Sequence, residues 1–348
     1  MQSSEDIVSK KLIDQVVDLI QSAYTANALY ALTRARVFDQ LLLAPGNALT
    51  LAAQLQLDAR SLDALLQFAH AIGLFEHDGE MYSVARRACP LTEKGGSWLR
   101  SYLLLWGEQL NPAFSKLPEH LATGANAFEL AHGKRIWDWY ASDPAQNELF
   151  VEYMAGVTNQ AHLPVVIEEL DLHGATRVLD VGGGTGSLAC GLAERHPALQ
   201  ADVYDQPSNH ANAAHKIAAR GLAERCAFIG GNIFAGVPAG YELYTIKHVL
   251  HDWDDLNAAA ILRCIARALA PGARLVIVEG LLDRPFDGVE PEPGYLHARN
   301  IEQRLWTPGR VRTLPEFETL CAQAGLRIEA VAHSRIFDIS YLRCAARA

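Results

Sequence analysis

An apolar run that breaks into glycines constrains this chain more than any other feature. Val178-Leu179-Asp180-Val181 leads directly into Gly182-Gly183-Gly184-Thr185-Gly186. Glycines let the backbone turn sharply after a strand and approach a ligand closely. A helix is expected from about Ser187, and its first N–H groups face the loop. Apolar runs recur downstream as ADVYD, LYTIKHVL and RLVIVEG, each followed by a helical or loop stretch. Strands that alternate with helices predict an α/β, Rossmann-like, mostly parallel sheet with crossover helices. LRIEAVA and FDISYLRCAA are separated only by a short turn and read as an antiparallel pair closing one sheet edge.

Upstream the pattern changes. Residues 10–43 read as helical, with Leu12, Val16, Ile20 and Ala23 on one face. A short helix over 51–55, an N-cap at Asp58, a second helix over 61–71 and a hairpin turning at His77-Asp78-Gly79 make a winged-helix pattern. Its second helix carries Asp58, Arg60 and Asp63, and the net charge is −10. Both oppose phosphate neutralisation, so no nucleic-acid partner is expected and the module is assigned to packing or dimerisation. Residues 97–170 are mostly helical and rich in aromatics, most of them expected in the core. The expected division is 1–107 (winged-helix-like dimerisation domain), 108–170 (helical linker and pocket segment) and 171–348 (Rossmann-like domain).

No apolar run approaches the roughly 18–20 residues that span a bilayer. The opening MQSSEDIVSKK sets acids beside its lysines, unlike a signal peptide. A cytoplasmic protein without a membrane partner is expected. The six cysteines are scattered with no C-x-x-C pair, which predicts free thiols and no metal site.

Two cofactor classes use such a glycine loop. Dinucleotides want G-x-G-x-x-G, whereas the spacing here is Gly182-x-Gly184-x-Gly186, with Ser187 in place of the third glycine. Asp180, read as part of the turn, suits a ligand with an ammonium group better than a pyrophosphate. Asp205 ends the next strand, 19 residues after Gly186, where a carboxylate can accept two hydrogen bonds from a ribose diol.

VLDVGGGTG, then YDQP, GGNIF, HVLHDWDD and GRVRT together resemble the class I S-adenosylmethionine-dependent O-methyltransferases of the plant caffeic-acid type and their bacterial small-molecule relatives. The resemblance covers nearly the whole chain. It implies S-adenosyl-L-methionine as cofactor, a small aromatic acceptor and a homodimer built through the N-terminal half. It implies that the loop of Gly182, Gly184 and Gly186 holds the methionine part and that Asp205 binds the ribose; Asp180 and Gln206 are further candidate cofactor contacts. Asn232, Ile233, Phe234 and Trp253 would surround the adenine, with Lys247 near the cofactor carboxylate. His251 matches the catalytic base and Glu279 the acid that orients it. Met154 matches a pocket methionine, and Glu129, Trp137, Phe150, Asp252 and Asn300 complete the candidate acceptor contacts. Three positions depart from the pattern. Val311 replaces a glutamate that helps hold the histidine, Asn232 replaces an aspartate, and Glu129 replaces an asparagine and points to a basic or nitrogen-bearing acceptor.

The base sets the acceptor. Histidine near pKa 6.5 lies about 3.5 units below a phenol, a cost of about 5 kcal/mol. For an aliphatic hydroxyl the gap is about 9 units, or about 12–13 kcal/mol. A phenolic or enolic hydroxyl is therefore expected. Asp252, Asp254 and Asp255 read as acids at a helix N-terminus, without metal. His248, three residues before His251 in the same strand, is expected to point elsewhere and to be structural. The alternatives are the same fold and cofactor used for decarboxylation, hydroxylation or cyclisation, a nicotinamide dehydrogenase, which the glycine spacing opposes, and a winged-helix regulator, which the acidic charge opposes.

Overall fold

The protein is described by a computed structural model over residues 4–285, 294–336 and 338–347, with side chains from Lys11 onward; Phe337 of the FDISYLRCAA run lies outside the described residues. Packing divides it into two units, Met1–Pro112 with Trp137–Val157, and Ala113–Ile136 with Thr158–Ala348. Among the described residues no helix is long and apolar enough to cross a membrane.

The first unit opens with α1 (Ser4–Arg34) and α2 (Val37–Leu43). The single helix expected over 10–43 is corrected here. Arg36 takes a left-handed backbone, φ 62°, which ends one helix and turns the next inward. Val37, Phe38 and Leu41 then join Leu51, Leu62, Leu66 and Phe75 in a small core. α3 (Ala48–Leu55) starts in a capping box between Asn47 and Thr50. α4 (Ala59–Ala71) starts at Asp58, whose carboxylate accepts from Ser61 N at 2.8 Å. β1 (Phe75–His77) and β2 (Tyr82–Val84) pair antiparallel. On α1, by contrast, Leu12, Ile13 and Leu19 stay 60%, 60% and 72% exposed.

A run of helices follows: α5 (Trp98–Leu105), α6 (Asn111–Phe114), α7 (Leu117–Thr123), α8 (Ala127–His132), α9 (Ile136–Ser142), α10 (Pro144–Val157) and α11 (Leu163–Glu169). In the first unit α5 packs on α10 through stacked Tyr102 and Tyr153 rings, 5.0 Å apart.

The second unit is built on seven strands, β3 (Arg177–Val181), β4 (Gln200–Asp205), β5 (Phe228–Gly230), β6 (Leu243–Lys247), β7 (Arg274–Glu279), β8 (Leu326–His333) and β9 (Ser340–Ala346), in the order β5-β4-β3-β6-β7-β9-β8. β3 to β7 run parallel, β9 is antiparallel to β7, and β8 is antiparallel to β9. Between them lie α12 (Ser187–Arg195), α13 (His210–Ala219), α14 (Asp255–Ala268), α15 (Tyr295–Trp306) and α16 (Leu314–Gln323). The continuous apolar runs are explained by burial on both faces. Alternate residues of β7 separate: Leu275 and Ile277 pack with Ile261, Leu262, Phe317 and Leu320, while Val276 and Val278 share a core with Val166, Leu188 and Ala189. The chain steps from β3 outward to β5, then returns to β6 and proceeds the other way. That reversal opens a crevice at the carboxyl ends of β3 and β6.

Candidate active site

The glycine loop leaves β3 at this crevice. Gly182, Gly184 and Gly186 take φ of 72°, 56° and 80°, a region that side-chain-bearing residues rarely occupy. α12 begins at Ser187, as the sequence suggests. Asp180 is not in the turn, contrary to the sequence reading. It is a buried member of β3, opposite Thr245 of β6, whose hydroxyl donates to Asp180 Oδ1 at 2.7 Å. Burial pushes its carboxyl up to about 6 against the hydrogen bond from Thr245 and the charge of Lys247. The carboxylate lies tucked under the loop, because a Cβ at Gly183 would stand 2.5 Å from Asp180 Oδ2.

Asp205, at the end of β4, ties the loop in place. Its Oδ2 accepts from Gly184 N at 2.7 Å, and its Oδ1 accepts from Gln206 N at 2.6 Å and Asn209 Nδ2 at 3.0 Å. Three of roughly four acceptor directions are used, so about one remains where the sequence reading expected two. Gln206 itself is exposed. Lys216, from α13, donates to Thr185 Oγ1 and Ser187 Oγ, both at 2.6 Å. Farther along the same edge, Asn232 Oδ1 accepts from Phe234 N at 3.0 Å, closing the turn that presents Ile233 and Phe234. The Phe234 ring meets Trp253 edge-on, with centroids 4.8 Å apart.

Beyond β6 the chain coils into a 3-10 turn, Leu250–Asp252. One carboxylate organises it. Glu279, 2% exposed at the end of β7, accepts through Oε1 from Val249 N, Leu250 N and His251 N at 3.1, 3.0 and 3.3 Å. Its Oε2 lies 2.7 Å from His251 Nδ1. An ionised carboxylate is acceptor-only, so Nδ1 carries the proton and Nε2 the lone pair. Asp252 Oδ1 sits 3.7 Å from that Nε2 and accepts from Gln303 Nε2 at 2.9 Å. Burial pushes the His251 proton affinity down, but the charges of Glu279 and Asp252 and the Glu279 hydrogen bond outweigh it and leave it above 6.5.

The turn is clamped from its far side. Arg312 is 1% exposed and donates to Leu250 O at 2.7 Å, Trp253 O at 2.6 Å and Asp255 Oδ1 at 3.1 and 3.0 Å. Gly309 lies against the same backbone, where any Cβ would overlap the carbonyl oxygen of His251. Neither residue was singled out from the sequence, though both belong to the GRVRT segment. Val311 donates its N–H to Asn300 Oδ1 at 3.1 Å.

His248 requires a correction. β6 ends at Lys247, and His248 takes φ 52°, so strand alternation no longer governs its side chain. Its ring lies 5.4 Å from the His251 ring, centroid to centroid. Lys247 Nζ is 3.2 Å from His248 Nδ1.

The remaining candidates fall in two places. Glu129 is an exposed residue of α8, 3.9 Å from Arg135 Nε, and with Asp252 and Asn300 it belongs to the second unit. Trp137, Phe150 and Met154 belong to the first unit. There Phe150 stacks on Tyr140 at 4.8 Å and meets Trp137 at 6.1 Å, while Met154 is partly exposed on α10. Asp254 caps α14 through Asn257 N at 2.8 Å. Among the described residues no group of three or more His, Cys, Asp or Glu side chains is placed to hold a metal ion. All six cysteines are free thiols, five of them buried. A cavity of about 520 Å³ lies at the amino ends of the strands, lined by Glu242, Arg274 and Arg343, away from all these groups.

The chain is similar to known proteins in sequence and in fold. The family model described as the O-methyltransferase domain matches residues 114–327. The mitomycin biosynthesis 6-O-methyltransferase of Streptomyces lavendulae is 30% identical over 319 residues, 91% of this chain and 89% of that protein. Among solved structures, the mitomycin 7-O-methyltransferase superposes with a TM-score of 0.87 at 27% identity, covering 98% of this chain and 99% of that one. An O-methyltransferase from neocarzinostatin biosynthesis, solved with S-adenosylmethionine and 2-hydroxy-5-methyl naphthoic acid, gives 0.79 at 28% identity over 92% of this chain and 96% of its own.

Proposed function

The chain belongs to the O-methyltransferase family and is an S-adenosylmethionine-dependent enzyme, and on that premise we propose that it methylates a phenolic or enolic hydroxyl of a small aromatic secondary metabolite, with His251 as general base. The observation that carries this reading is the 2.7 Å contact between His251 Nδ1 and Glu279 Oε2, one strand from the glycine loop.

The residues present fit the cofactor. The loop carries no side chain at Gly182, Gly183, Gly184 or Gly186, a buried carboxylate lies beneath it, and the edge-to-face Phe234–Trp253 pair offers an apolar aromatic wall. Gly182, Gly184, Gly186 and Asp180 would hold the methionine part, Asp205 and Gln206 the ribose, Asn232, Ile233, Phe234 and Trp253 the adenine, and Lys247 the carboxylate. S-adenosylmethionine supplies a methyl group already activated on a sulfonium sulfur. The protein supplies alignment and a proton acceptor. His251 Nε2 takes the hydroxyl proton as the oxygen gains the methyl. The imidazolium so formed stands beside Glu279 and Asp252, which stabilise its charge where it arises. Val311 does not leave the base unheld, because Nδ1 already has its carboxylate. Within the second unit Glu129, Asp252 and Asn300 remain proposed acceptor contacts, and within the first Trp137, Phe150 and Met154 remain candidates of their own.

The test is transfer of a labelled methyl group to a panel of phenols, hydroxyquinones and hydroxylated N-heterocycles, with alkyl alcohols as controls. Transfer to at least one phenolic or enolic class and to no alkyl alcohol is expected. Cofactor binding without any transfer would instead favour decarboxylation, hydroxylation or cyclisation.

A pH profile tests the Glu279 assignment. His251 must be deprotonated to act, and its proton affinity is raised, so the acidic limb of kcat/KM is expected above pH 6.5. In Glu279→Gln the carboxylate charge is gone while the burial that depresses the imidazolium remains. The limb then moves to lower pH. The rate falls as well, because an amide cannot accept from three backbone N–H groups and Nδ1–H together.

We also propose a homodimer formed through the first unit, on the strength of the exposed Leu12, Ile13 and Leu19 of α1. Sedimentation equilibrium is expected to give a dimer for the wild type and a monomer for Ile13→Glu/Leu19→Glu.

A further inference from the structure

His248 holds a second imidazole beside the base, and the fold fixes it from several sides. Its main-chain N–H donates to Val278 O at 3.0 Å. Its φ of 52° is a conformation that residues other than glycine adopt chiefly where the surroundings over-determine it, often at functional sites. The ring packs edge-on against His162 at 5.3 Å, and His162 Nε2 lies 3.4 Å from Asp338. Lys247 Nζ approaches Nδ1 at 3.2 Å. With Lys247 donating along that contact, Nδ1 accepts and the single ring proton sits on Nε2. Burial, with the neighbouring Lys247, pushes its proton affinity far below the usual histidine value. His248 is thus a poor base but a fixed N–H donor, with its ring 5.4 Å from that of His251.

We propose that His248 is a specificity-determining residue, whose Nε2–H binds a carbonyl oxygen, ring nitrogen or second oxygen lying next to the hydroxyl that His251 deprotonates. The inference rests on His251 as the base of a phenol methyltransferase. Each imidazole reaches a partner about 2.7–3.2 Å from its nitrogen. Two rings at this spacing serve two heteroatoms on neighbouring or peri positions of one aromatic acceptor. Such a hydroxyl is tied to its neighbour by an internal hydrogen bond. A donor that takes over the neighbour frees the proton for the base.

The experiment compares isomer pairs, 1- against 2-hydroxyanthraquinone and 8- against 6-hydroxyquinoline, in wild type, His248→Phe and His248→Asn. S-adenosylhomocysteine binding by calorimetry shows that each variant is folded. Wild type is expected to favour the adjacent-heteroatom isomer in kcat/KM, and His248→Phe to lower that ratio by about tenfold, the worth of one good hydrogen bond. Asparagine tolerates the left-handed backbone and keeps an N–H donor, so it is expected to restore part of the ratio, and it carries the test if the Phe variant does not fold. A ratio unchanged in both variants overturns the proposal. So does a wild type that methylates both isomers alike, while leaving the reading of His251 intact. Transfer to no phenol removes that reading, and this proposal with it.

Discussion

His251→Ala is expected to lower kcat by about 10²–10⁴-fold at neutral pH, the usual worth of a positioned general base. The cofactor contacts proposed for the glycine loop, Asp205 and the Phe234–Trp253 wall do not pass through the imidazole, so S-adenosylhomocysteine affinity measured by calorimetry should hold. The residual rate carries the diagnosis. Without a base the acceptor must ionise on its own, so the rate should climb about tenfold per pH unit until it levels near a phenol's pKa of about 10. Added imidazole should recover part of the loss at neutral pH. A variant that transfers methyl groups as fast as wild type would remove His251 from the chemistry and turn attention to Asp252, 3.7 Å away.

Arg312→Leu is expected to cost about 2–5 kcal/mol of stability, measured by urea unfolding, because it strips the donor from two main-chain carbonyls, each worth about 1–3 kcal/mol when left unsatisfied in the interior. The guanidinium fork serves two main-chain carbonyls and a carboxylate at once. Leucine would leave the carbonyls of Leu250 and Trp253 without that donor, and a lysine could not reproduce the fork. Activity should fall with stability, because those carbonyls bracket His251. Gly309→Ala attacks the same turn through its backbone, where the new methyl would overlap the His251 carbonyl. If Arg312→Leu unfolds at the wild-type urea midpoint, the clamp is not what holds the turn.

The glycine loop, the parallel sheet and the antiparallel final pair were legible because each is written locally, as continuous apolar runs with breakers between them. β5 was not. It contributes only Phe228–Gly230 at an edge, too few residues to show a pattern. The run LYTIKHVL reads as strand to its last leucine. The strand ends at Lys247 because His248 turns left-handed, while Leu250 is fully buried for a different reason, inside a 3-10 turn. That misplacement led to the wrong orientation for His248. Arg312 was hidden by its residue type. An arginine is ordinarily exposed, and its burial here depends on carbonyls some sixty positions earlier in the chain. Asp205 and Glu279 were found as strand-end carboxylates, but not the backbone N–H groups each one holds.

Synthesis proceeds from β7 to β8 to β9, yet the sheet places β9 between the other two. While the chain emerges from a ribosome, β8 has no strand to lie against and one edge of β7 stays open, a template for wrong pairing. Glu279 is the residue of β7 that pairs with Ser340, the first residue of β9. The carboxylate that sets the tautomer of His251 is therefore flanked on both sides only after β9 has been made. Every segment before β9 can be complete at that moment and the enzyme still unfinished, so a nascent chain halted before β9 should be both inactive and prone to aggregate.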